Sequence, residues 1–124
     1  MKLTEFHERL LIILIALHSA IIGVVFIFAP NWLMQFGGWT GIDPIFFGRQ
    51  AGAFHLVLAG AYLIEHFKYR GVTILVSAKT FAMVFLLVCT FVDSLPWAVP
   101  VSGVGDALMA LVVLLVHKAV RGRQ

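Results

Sequence analysis

Apolar residues fill four long stretches of this chain, approximately residues 10–29, 45–64, 72–92 and 97–116, with polar clusters between them. Each is about 20 residues long, enough for a helix rising ~1.5 Å per residue to cross a hydrocarbon core of ~30 Å. The pattern predicts an all-α membrane protein, with four transmembrane helices in an up-down bundle forming one domain over residues 1–124. Short turns at 68–71 and 93–96 make consecutive spans antiparallel neighbours. Asp43-Pro44 predicts an N-cap followed by proline at the first helical position of the second span. Gly71 predicts the stop that ends it. Residues 30–36 predict a further short helix lying in the membrane interface.

Polar residues inside those stretches are arranged in layers. His18, His55 and Asp106 fall near the middle of three of them. His7, His66 and His117 lie eleven residues further along the same helices, close to three turns, so each pair shares a helix face. Lys79 enters the third stretch from one end and Arg49 the second from the other. An ionisable residue within a span is costly and turns towards the bundle or a wet cavity. The spacing therefore predicts a buried charge layer of His18, Arg49, His55, Lys79 and Asp106, in which the two basic side chains reach the carboxylate. A second cluster of His7, His66 and His117 is predicted at one end.

Charge sets the orientation. Lys2, Arg9, Lys68, Arg70, Lys118, Arg121 and Arg123 occupy the N-terminus, the second connection and the C-terminal tail, while the other two connections hold no Lys or Arg. Under the positive-inside rule both termini are cytoplasmic. The net charge of +3 is thus a matter of membrane topology, and nucleic acid is not an expected partner. Trp32, Trp39 and Trp97 fall at the opposite boundary, where indoles favour the interface. The apolar run 10–29 exceeds a signal-peptide core and lacks a small-x-small site after it, so it reads as a retained span. Cys89 is the single cysteine and reads as a small buried apolar residue.

The chemistry these residues allow remains open. His18 with His55 and His7 with His66 match in depth, and such pairs can ligate two stacked b-type haems, with Gly48, Gly52 and Gly60 making room. Paired charges in a bundle can equally hold a quinone carbonyl, relay a proton or fix helix register. No phosphate loop, nucleophile elbow, CxxC or metalloprotease motif is present, and no metal site or enzyme class is assigned. Gly48-x-x-x-Gly52 permits close helix approach within the chain or between copies.

Residues 49–63 carry a family likeness. Arg49, then Gly52 and Gly60 at helical spacing before an aliphatic run, resemble the DoxX-like group of small four-helix bacterial membrane proteins. The resemblance implies an inner-membrane protein linked in some members to quinone-dependent sulfur redox chemistry. The expected function is an accessory or quinone-interacting subunit of a membrane redox system, in the bilayer with other subunits or with copies of itself. A purely structural subunit, a small proton-coupled transporter and a b-type haem protein are the alternatives.

Overall fold

The computed structural model of the chain describes residues 3–122. Five helices make up nearly all of it: α1 (Glu5–Phe28), α2 (Pro30–Phe36), α3 (Ile45–Tyr69), α4 (Thr73–Val92) and α5 (Ala98–Arg121). The expected four-span up-down bundle is not what forms. Among the described residues three helices, α1, α4 and α5, are long and apolar enough to cross a membrane. At 25 residues α3 has the length, but Arg49, Gln50 and His55 dilute its apolar run and Glu65, His66 and Lys68 prolong it with polar turns. The fifth helix is the short one expected over residues 30–36, begun by Pro30 in a position that needs no N–H. Lys2 and Arg123, two of the charges counted in the topology, lie outside the described residues.

The helices associate as two tight pairs. α1 lies along α3 and α4 along α5, while the pairs meet more sparsely through α1–α5 and α3–α4. No close backbone approach joins α1 to α4 or α3 to α5 among the described residues. The α1–α3 contact is made backbone to backbone. A Cβ on Gly52 would lie 2.5 Å from the Gly23 carbonyl oxygen, and one on Gly23 would lie 2.8 Å from that of Gly52. Any larger residue at either position forces the helices apart. Gly48 and Gly52 are thus used within the chain, whereas Gly60 has nothing within 4 Å.

One face of α1 is buried at helical spacing: Glu8, Ile12, Ile15, Ser19 and Gly23. Ile12 and Ile15 meet Tyr62, Val72, Leu75 and Val113 in the apolar core. The outward faces are apolar too. Leu14, Leu17 and Ile21 on α1 and Phe81, Phe85 and Phe91 on α4 are exposed. Such a surface is stable against lipid and not against water.

The α3–α4 turn is held by a carboxylate. Arg70 ends α3 in the left-handed region (φ 55°, ψ 27°). Glu65 then accepts the Thr73 N–H at 2.8 Å and the Ile74 N–H at 2.7 Å, satisfying two of the amides that open α4. Gly71 leaves room beside it, since a Cβ there would lie 3.0 Å from a Glu65 carboxylate oxygen and crowd the cap. The expected stop at Gly71 is therefore made one residue earlier, and the glycine clears space for the cap. Asp43 does not cap α3 either: Pro44 holds the cap position in extended conformation. Replacing Glu65 by alanine is expected to remove about 1–2 kcal/mol of stability, the worth of a charge-assisted helix cap. Thermal unfolding in detergent checks this, and an unchanged midpoint would refute the cap's importance.

Candidate functional site

Two polar layers are buried in this otherwise apolar protein. In the first, the inward face of α4 carries Leu75 and then Lys79, one turn apart. The inward face of α5 carries Gly103, Asp106, Ala110 and Val113. Gly103 lets Leu86 and Leu87 of α4 approach closely. Lys79 Nζ donates to Asp106 Oδ1 at 2.8 Å, with the two side chains only 8% and 13% exposed. Removing two charges from water is expensive, and only a short direct contact offsets it.

His18 of α1 and His55 of α3, in the other half of the molecule, lie within electrostatic range of Lys79 and Asp106. His55 is half-buried and stacks on Phe26, with ring centroids 6.2 Å apart and planes 13° from parallel. His18 is exposed on an apolar face. Of the five residues of the expected charge layer, the structure brings Lys79 and Asp106 into contact, while His18 and His55 stand within electrostatic range without bonding to either. Arg49 is the exception: it is exposed near the start of α3 and makes no ion pair with Asp106.

The second layer lies at the end where Arg9, Arg70 and Arg121 gather. Its centre is Glu8, 2% exposed, whose carboxylate is 2.5 Å from His117 Nδ1. His66 is buried nearby, and that burial lowers its pKa below the usual histidine range while the Glu8 carboxylate pulls the other way. Glu5 bridges Arg9 at 3.5 Å and Arg70 at 3.4 Å, tying α1 to α3. Of the three expected histidines, His66 and His117 come together around Glu8. His7 serves the start of α1 instead, its Nδ1 2.8 Å from Thr4 Oγ1 and accepting the Thr4 N–H at 3.3 Å.

Glu8 is the buried charged residue that sequence reasoning passed over. Its signal was the spacing Glu8, Ile12, Ile15, Ser19, which places the carboxylate on the buried face. Between the layers stand Ile12, Ile15, Leu75 and Val113, all at most 5% exposed. The eleven residues from Asp106 to His117 put the two layers about 16 Å apart.

The residues present do not fit a haem ligated by His18 and His55. Gly23 and Gly52 hold α1 and α3 in backbone contact, which leaves no gap for a macrocycle between those helices, and Phe26 covers a face of the His55 ring. Among the described residues no group of three or more His, Cys, Asp or Glu could hold a metal ion.

The energetic character of the central pair has a direct test. Asp106→Ala alone strands the buried ammonium and is expected to cost about 3–5 kcal/mol. Lys79→Met with Asp106→Val together removes both charges and is expected to restore most of that loss. Unfolding midpoints of the single and double variants decide it; equal losses in both would show that the pair is not electrostatically coupled.

No family model, curated protein or solved structure matches this chain.

Proposed function

We propose that the protein is a small integral membrane protein that receives the polar head of a lipophilic molecule of the quinone class between its two helix pairs. In this reading it serves as an accessory subunit of a membrane redox system. The observation that carries it is the buried Lys79–Asp106 pair, with His18 and His55 of the other helix pair within its electrostatic range. A quinone carbonyl needs a donor, and the Lys79 ammonium has three N–H groups of which Asp106 takes one. A quinol hydroxyl needs an acceptor, which Asp106 or a neutral imidazole supplies.

His18 marks the way in. It is an exposed polar residue flanked by exposed Leu14, Leu17 and Ile21 on a helix apolar enough to cross a membrane. A lipophilic ligand arriving sideways from the bilayer meets it first. The end carrying Arg9, Arg70 and Arg121 faces the cytoplasm under the positive-inside rule. The resemblance of residues 49–63 to DoxX-like proteins points to a bacterial inner membrane and to the same redox context.

A structural subunit is the second reading, favoured by the short direct contact between Lys79 and Asp106, which closes the pair on itself. Solvent extraction of protein purified in mild detergent separates the two. A quinone recovered from the wild type, and lost from Asp106→Asn and His55→Ala variants that remain folded, is the expected result. Recovery of phospholipid alone from the wild type, with the apolar double variant at Lys79 and Asp106 fully assembled, would overturn the binding reading in favour of the structural one.

A further inference from the structure

The layer around Glu8 holds one feature that packing alone leaves unexplained. His66 is 5% exposed, and its Nδ1 meets no hydrogen-bonding group of the protein. The Gly71 backbone lies where it favours the protonated ring, and Nδ1 is the ring atom left without a partner. A buried polar atom without a partner is costly and calls for one. His66 lines a cavity of about 30 Å³ together with Glu8 and Arg121, and the exposed side chains of Arg9 and Arg70 stand at its rim. A water molecule needs ~10–15 Å³ of such space and two to four polar partners. The cavity therefore suits one or two waters and is too small for a phosphate or a larger anion.

We infer that this cavity is a hydrated proton-exchange site, in which water bonded to His66 Nδ1 connects the buried Glu8–His117 pair with solvent at the arginine-rich end. A proton arriving on water forms an N–H bond at Nδ1 and leaves a neutral water behind. Onward transfer through water to the Glu8 carboxylate breaks that bond and forms the carboxylic acid. The charged and titratable groups around His66 are Glu5, Glu8 and Arg9 from α1, Arg70 from α3, and His117 and Arg121 from α5. On the inner side Ile12, Tyr62 and Val113 are at most 2% exposed, so exchange is confined to the outer one. The site does not depend on ligand binding at the Lys79–Asp106 pair.

Imidazole-labelled protein in lipid nanodiscs tests this by nitrogen NMR across pH, combined with water-selective magnetisation transfer. The wild type is expected to show His66 protonated on Nε2 when neutral, with direct transfer from water to its ring. Glu8→Gln removes a negative charge that favours the imidazolium and should move the His66 midpoint to lower pH. Arg121→Gln removes an opposing positive charge and should move it to higher pH. The His18 signal, from the other layer, stays in place and reports that the fold is intact. Absence of water transfer to His66 in the wild type would overturn the inference, as would a midpoint that neither substitution moves. Should Glu8→Gln fail to fold, the wild-type transfer and the Arg121→Gln shift decide alone.

Discussion

Desolvation of charge is the constraint on which this structure depends. In a chain this apolar, a polar side chain turned inward has no water to fall back on, so each must find a partner or a wet cavity. Lys79 and Asp106 meet that demand directly at 2.8 Å, and the contact fixes the register of α4 against α5. Glu8 and His117 do the same for α1 and α5. Glu65 does it for the backbone of α4. The apolar core between the two layers is then packed in the register these polar contacts set.

The two kinds of helix contact serve different ends. Within the α1–α3 pair, Gly23 and Gly52 bring backbones together and leave no adjustable space. Between the pairs the contacts are fewer, and the polar residues of the central layer look across that looser boundary.

Much of this was legible in the residues, and the failures have physical causes. Lys79 and Asp106 announced themselves because an ionisable group within an apolar run has few stable placements. Matching depth placed His18 and His55 at the same level as that pair, but could not show that His18 would be exposed. Residues 45–64 misled as a fourth span because length was easier to see than the cumulative weight of Arg49, Gln50, His55 and the glycines. Gly52 reads alike whether it makes room for a cofactor or for another backbone; only its contact with Gly23 distinguishes the two. Glu8 was hidden among Glu5 and Arg9, where a terminal charge looks solvated, although its spacing from Ile12 and Ile15 placed it inside. Arg49 erred the other way: its reach allowed a partner, and the helix turned it outward.

The connectivity of the pairs has one further consequence. The chain passes from the α1–α3 half to the α4–α5 half once, through residues 70–72. Each half packs most closely within itself, and the two are joined by the shared apolar core and the Glu8–His117 contact. The molecule is therefore two pieces on one short hinge, with Glu65 as the pin that seats the second piece on the first. A chain cut at that point would leave the Lys79–Asp106 pair whole in the second fragment but divide Glu8 from His117, so that the layer around Glu8 exists only once the fragments recognise each other.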